Sequence, residues 1–292
     1  MPAGGLLALK NRVKSVKTTK KTTKAMSLIS ASKMKKARVS LEKNNFYLNN
    51  LKHIGTKIFK YTENPEKNIL IQENREGKKL YIILASDTGL CGAFNGNGAM
   101  YLARKEDFDK KNTSVILSGK RGRYYVNKYG IEIVKEYQDP NDKITIKEAK
   151  NMVSDIVDLF LHKGYAEINL IYTKFFSSAK QRVVEERLLP FKVLKTEEEI
   201  EDLDFDLEPG SEEIVADYIM RQLEAQLINA VYHSKTSEHS ARMMAMDNAT
   251  TNAGKMAVEL ENKYNRLRQG AITQEIAEII GGVEAIKKKK KK

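Results

Sequence analysis

Nucleotides often bind at a glycine-rich turn following a β-strand, because backbone N–H groups at a helix start can cradle phosphate. The run Ser86-Asp87-Thr88-Gly89-Leu90-Cys91-Gly92-Ala93-Phe94-Asn95 has that texture. Its spacing does not. Gly89, Gly92, Gly96 and Gly98 miss the G-x-G-x-x-G template, and neither Ser118-Gly119-Lys120-Arg121-Gly122 nor any other stretch reads G-x-x-x-x-G-K-[ST]. The turn therefore reads as a tight turn rather than a ligand loop. The four histidines (His53, His162, His233, His239) are scattered, and the last two, six residues apart, fall on different faces of a helix, so they are no metal pair. Cys91, the single cysteine, has no nearby His to activate it and reads as a small packed thiol. Glu275 and Glu278 share a helix face, most simply a solvated one. No catalytic constellation emerges, and no cofactor or metal is called for.

Charge points to partners instead. The 292 residues carry a formal net charge of +13, with 30% charged residues and no Trp. An acidic partner is implied: nucleic acid, an anionic membrane or an acidic protein surface. One cysteine excludes an internal disulfide and fits a reducing compartment. No apolar run approaches the roughly 18 residues that span a bilayer, and the N-terminus lacks a secretory apolar region. The expectation is a soluble cytosolic protein that meets a membrane only through partners.

Long helices at the two ends organise the chain. Residues 6–60 contain no Pro and only Gly55, with Leu9, Val13 and Val16, then Met34, Ala37, Leu41, Leu48 and Leu51, on one seam. Some 55 helical residues would reach roughly 80 Å. Between Lys10 and Lys43 lie twelve Lys or Arg against one acid, Glu42. Such a run suits a solvated face, a nucleic-acid arm or a basic shaft moving past acidic protein surfaces. At the other end Ile272, Ile276, Ile279, Val283 and Ile286 recur at steps of four and three, continuing Leu260, Tyr264, Leu267 and Ala271. This is a coiled-coil spacing that needs a partner helix. The expectation is that the two ends pair antiparallel.

Between them β-rich runs (79–86, 113–118, 131–134, 166–173, 182–191) alternate with helical stretches (99–107, 120–129, 145–162), which predicts a small, mostly parallel sheet with helices on its faces. Residues 197–213 hold ten acids and no Lys or Arg, and Pro209-Gly210 closes them before a plausible N-cap, Ser211. The fold class expected is α+α/β: a long antiparallel coiled coil of N- and C-terminal helices with an inserted Rossmann-like α/β domain. The parts are residues 1–60 (first helix), 61–79 (connection), 80–195 (α/β domain), 196–211 (acidic linker or foot), 212–286 (second helix) and 287–292 (a low-complexity poly-Lys tail).

Several separated blocks carry a resemblance. Ile272-Thr273-Gln274-Glu275 through Glu278-Ile279-Ile280-Gly281-Gly282, the preceding Tyr264-Asn265 and Arg268-Gln269, Ser237 to Thr250 (SEHSARMMAMDNAT), Lys24 to Met34 (KAM and SASKM) and Ser86 to Gly92 resemble, in order, the gamma subunits of bacterial rotary F-type ATP synthases. That resemblance implies a non-catalytic rotor. Its coiled coil would be the axle within a ring of alpha and beta subunits. Its base would carry the epsilon subunit and dock on the membrane c-ring, at the cytoplasmic face of the cell membrane. It implies beta-subunit contacts at Met26, Lys33, Lys35, Lys36, Arg242, Arg268, Gln269 and Thr273, and a c-ring foot at Phe205, Leu207 and Glu208. Thr88 stands where the family usually has a basic residue, Phe205 and Leu207 where Tyr is common, and the poly-Lys tail lies outside the pattern. A basic-helix nucleic-acid-binding protein and an α/β enzyme are the alternatives from other classes.

Overall fold

The computed structural model describes residues 2–73, 76–140, 142–193 and 211–289. In chain order come α1 (Pro2–Tyr61), β1 (Lys78–Leu84), α2 (Phe94–Ala103), β2 (Thr113–Ser118), α3 (Arg123–Lys128), β3 (Glu132–Tyr137), α4 (Ile146–His162), β4 (Tyr165–Ser177), β5 (Lys180–Leu189) and α5 (Ser211–Lys289). The acidic run up to Gly210, with the Phe205, Leu207, Glu208 foot, lies outside the described residues, and Glu212 and Glu213 stand in the first turn of α5. Two compact units result, Ser30–Arg242 and the combined stretches Met1–Ile29 and Met243–Lys292, and α1 and α5 contribute to both.

In the larger unit the five strands run in the order β3-β2-β1-β4-β5. The first four are parallel; β5 returns antiparallel to β4 through a tight hairpin. Strand side chains alternate between faces, and both faces of β1 are buried. Leu80, Ile82 and Leu84 face a core completed by α4 and by apolar residues of both long helices, among them Leu48, Leu51, Ile219 and Leu223. Tyr81 and Ile83 face a second core beneath α2 and α3. Burial on both sides explains why KLYIIL reads as a continuous apolar run rather than an alternation. α4 is strongly amphipathic and opens with a capping box, in which Thr145 and Glu148 satisfy each other's backbone N–H.

The helix after β1 begins at Phe94, five residues before the apolar pattern suggests, and takes in Gly96 and Gly98. A Cβ on Gly98 would stand 2.8 Å from Ile83, and one on Gly96 2.7 Å from Tyr125. These glycines let α2 lie close to the sheet and to α3, a packing role that the loop-like spacing disguised.

In the smaller unit α1 and α5 pair antiparallel. Ser27 Oγ donates to Asp247 (2.7 Å), Thr250 Oγ1 to Thr23 Oγ1 (2.7 Å), and Lys17 meets Glu261. Leu6, Leu9, Val13, Val16 and Thr23 form a half-buried stripe on α1, matched on α5 by Met246, Ala253, Ala257, Leu260 and Tyr264. The seam through Ile272 behaves differently from the sequence expectation: the stretch of α5 paired with α1 ends near Ala271. Along the observed register Ala271 already lies opposite the first turns of α1. Beyond it Ile272, Ile276, Ile279, Ile280 and Val283 are 47% to 66% exposed. The side chain of Ile286 lies outside the described residues.

Gly55 marks a close approach of α1 to Tyr218 of α5 in the larger unit. A Cβ there would fall 1.9 Å from the Tyr218 hydroxyl. Tyr218 cannot retreat easily, because its ring packs edge-on against both Phe59 and Phe191. Gly55→Ala should therefore destabilise the chain by about 1–3 kcal/mol despite alanine's better helix propensity. Tyr218→Phe in the same chain should return part of the loss. Urea unfolding of the three proteins measures both effects.

Candidate functional site: the seat of α5 on the sheet

The carboxyl ends of parallel strands are where α/β sheets bind ligands. Here α5 itself occupies that edge. Arg242 donates to Thr88 Oγ1 (2.6 Å) and to the Gly89 carbonyl (3.2 Å) in the turn after β1. Its guanidinium also meets Glu238 (2.7 Å). Lys235 bridges Glu238 (3.1 Å) and Asp139, which lies in the loop after β3. The turn is rigid beneath this contact: Asn95 accepts from the Ser86 backbone N–H (2.8 Å) and donates to the Thr88 carbonyl (3.2 Å). Asp87 accepts from the Lys120 N–H (2.7 Å). The Gly-rich turn is a socket for a helix.

Burial sets the electrostatics. Glu238 is 3% exposed and Lys235 6%. Burial pushes the Glu238 carboxyl up, but Lys235 and Arg242 outweigh it and hold it below the usual range. Burial likewise pushes Lys235 down, and Glu238 and Asp139 together carry it above its ordinary value. Asp139 shares Lys235 with Glu238; burial prevails there and lifts its carboxyl to about 6. His239 accepts at Nδ1 from Arg242 (3.3 Å), which leaves Nε2–H to donate to Asp142 (3.1 Å). Burial is the largest influence on that ring and keeps it below its normal pKa. Asp142 also takes Lys33 of α1 (3.0 Å), so one carboxylate ties α1, α5 and the loop before α4.

The opposite side of α5 is tied as well. The His233 ring accepts from the Phe175 N–H (3.3 Å), Ser237 Oγ donates to the Thr173 carbonyl (2.9 Å), and Ser240 Oγ donates to the Ser178 carbonyl (3.1 Å) while accepting from Gln181 (3.0 Å). These partners belong to β4, β5 and their hairpin.

The residues singled out by the resemblance fall into distinct settings. Arg242 and Lys33 come together around His239 and Asp142, as internal ties. Lys35 and Lys36 are exposed on α1, and Met26 is half-buried. Arg268, Gln269 and Thr273 are exposed on α5, with Thr273 Oγ1 donating to the Gln269 carbonyl (2.9 Å). Lys235, Glu238, His239, Asp139 and Asp142 were missed by sequence reasoning. The i, i+3, i+4, i+7 spacing of Lys235, Glu238, His239 and Arg242 was the available signal, since it places four charged or polar groups on one helix face. Among the described residues no cluster of His, Cys, Asp and Glu could hold a metal ion, and no helix is long and apolar enough to cross a membrane.

Comparisons with known proteins identify the family. The family model for ATP synthase matches residues 5–286. The ATP synthase gamma chain of Clostridium perfringens is 43% identical over 287 residues, covering 98% of this chain and all of that one. The chain belongs to the ATP synthase gamma family. The Clostridium novyi gamma chain is 40% identical over 98% of this chain and 99% of its own length. In the Euglena gracilis mitochondrial ATP synthase, a chain of the structure described as OSCP/F1/c-ring superposes with a TM-score of 0.72 at 17% identity, covering 97% of this chain and 95% of that one. A chain of the rotor structure does so with 0.69 at 15% identity, covering 92% and 99%. At those identities the superpositions establish the fold. As a gamma chain the protein is a non-catalytic central-stalk subunit, and the bond-making sites of the enzyme lie on beta subunits. A socket filled by a helix, in place of an open crevice, suits such a subunit.

His233 gives the gamma chain a pH signature. Burial, reinforced by Lys174, lowers its pKa from 6.5 to about 4. A histidine depressed on folding favours the folded state fully above its unfolded value, and that contribution is lost as pH falls from 6.5 toward 4. At 1.36 kcal/mol per unit it amounts to about 3 kcal/mol. Asp139 acts in the opposite sense over the same range. The His233→Gln chain should therefore be less stable at pH 7.5 but show a flatter decline in unfolding midpoint between pH 7 and 4.5 than the parent; the difference between the two curves isolates the ring. Glu238→Ala, which strands Lys235 and Arg242 in a buried site, should cost about 3–5 kcal/mol, readable in the same unfolding series.

Proposed function

We propose that this chain turns as the rotor of an ion-driven ATP synthase, with its helix pair as an axle inside a ring of alpha and beta subunits. Epsilon and the membrane c-ring would engage the other end, so that ion flow is coupled to ATP synthesis or hydrolysis at beta. The observation that carries this reading is the exposed aliphatic seam Ile272–Val283 on α5. Five large aliphatic side chains, each about half exposed, lie along one helix just past the stretch that α1 covers. Contiguous apolar surface of that kind marks a protein–protein interface.

Arg268, Gln269 and Thr273 sit at the start of this seam and would touch beta there. Lys35 and Lys36, with Met26 and Lys33, would meet acidic beta loops alongside α1, and Arg242 would bear on beta from α5. Exposed ion pairs are worth about 0–1 kcal/mol each, which suits a surface gripped and released in each turn. Phe205, Leu207 and Glu208 would form the foot on the c-ring, placing the protein peripherally at the cytoplasmic face of the membrane. Nothing favours the nucleic-acid alternative. Lys17, Lys24, Lys33 and Arg38 of the basic helix already pair with Glu261, Asp247, Asp142 and Glu42, which breaks up the phosphate-binding stripe that reading needs.

Co-expression with the alpha and beta subunits of the same organism tests the proposal. One copy of this chain should co-elute with three alpha and three beta subunits, and ATPase activity should be lost when it is omitted. Ile276→Ser/Ile279→Ser should leave the isolated chain as stable as the parent, within about 0.5 kcal/mol, because both sites are exposed there. In the complex it should lower affinity at least about tenfold, since each isoleucine buried at an interface is worth about 1.5–3 kcal/mol. A hexamer indifferent to this chain would end the axle reading.

A further inference from the structure

We propose that residues 233–242 of α5 form a torsional lock, the place where rotation of the helix is handed to the sheet domain and back; this rests on the rotor reading. The inference comes from angles. At about 100° per residue, Lys235, Glu238, His239 and Arg242 cluster on one face of α5. His233, Ser237 and Ser240 cluster about 180° away. The first group is held by the turn after β1 and the loop after β3: Arg242 on Thr88 and Gly89, Lys235 on Asp139, His239 on Asp142. The second group is held by β4, β5 and their hairpin: His233 by Phe175, Ser237 by Thr173, Ser240 by Ser178 and Gln181.

Apolar packing alone resists separation of a helix from a sheet but is non-directional. A helix seated only that way can roll, exchanging one ridge for the next. Hydrogen bonds fix azimuth because they weaken steeply off line. Two sets on opposite faces form a couple, so a roll in either sense strains both at once. Burial strengthens the effect: Thr236, Ser237 and Ser240 are 0% exposed, so water cannot replace a broken bond. The polar character of this stretch, costly for a helix that merely packs, is what a torque-bearing seat requires.

The test uses the complete chain assembled with its alpha and beta subunits. A bead is attached through Lys128→Cys on the exposed end of α3; Cys91 is 1% exposed and escapes labelling. Angular fluctuations of the stalled bead give the torsional stiffness. Two variants each weaken one face of the lock without stranding a buried charge: Lys235→Met/Asp139→Asn, which leaves Glu238 paired with Arg242, and the milder Ser237→Ala/Ser240→Ala. Each should leave unloaded ATPase within about twofold of the parent while lowering stiffness, and the combined variant should lower it at least twofold. A purely structural role would lower the yield of assembled complex but leave stiffness unchanged in the complexes that form. That result, in the serine variant or the combined one, overturns the lock. Failure of the unaltered chain to assemble or rotate would overturn the rotor reading itself, and it is seen before any variant is made.

Discussion

Everything in the larger unit depends on how one helix is seated. α5 crosses the carboxyl edge of the sheet and is fixed there by Glu238, a carboxylate almost wholly removed from water and neutralised by two cations of its own helix. Each of those cations also reaches outward, Lys235 to the loop after β3 and Arg242 to the turn after β1. A buried charge cluster of this kind is stable only when every member has its partner, and losing one is far worse than never having had the set. The loops are thus held to the helix and the helix to the loops.

This seat explains why a chain with a sheet resembling a nucleotide-binding domain belongs to a family of non-catalytic subunits. The crevice at the strand ends is the position that gives such sheets their usual chemistry, and α5 fills it with a guanidinium and a carboxylate. The glycines that could suggest a phosphate loop serve close packing instead: Gly98 against Ile83 and Gly96 against Tyr125. The same residue type at nearly the same place serves another end because what approaches the backbone is a side chain, not a ligand.

The two long helices carry two kinds of contact along their length. Against the sheet they bury large aliphatics, Leu48, Leu51, Ile219 and Leu223, in one core. In the smaller unit a half-buried apolar stripe, Leu9, Val13 and Val16 with Met246 and Leu260, is joined by small and polar residues: Ser27, Thr23, Thr250, Ala253 and Ala257, with Asp247 among them. The first kind supplies stability through area. The second sets register through direction at little gain in burial.

Much of this was legible in the residues. The alternation of β-rich and helical runs gave the sheet, because strand and helix periods differ and both cores demand apolar faces. The step of three and four gave the helix pair. Two things were not legible. Ile272, Ile276, Ile279 and Val283 have the spacing of a paired seam, yet the stretch of α5 that α1 covers ends near Ala271, because periodicity says that a face needs covering and not which segment covers it. Arg242 reads as a surface contact in the sequence and is an internal tie in the structure. Its partners Thr88, Gly89 and, through His239, Asp142 lie about 100–150 residues away, and only the folded sheet brings the ends of its strands to one edge. The sequence determined the elements and their faces, since those follow from local periods and propensities. The tertiary structure decided which charges meet, since that follows from long-range chain crossings that no local pattern encodes.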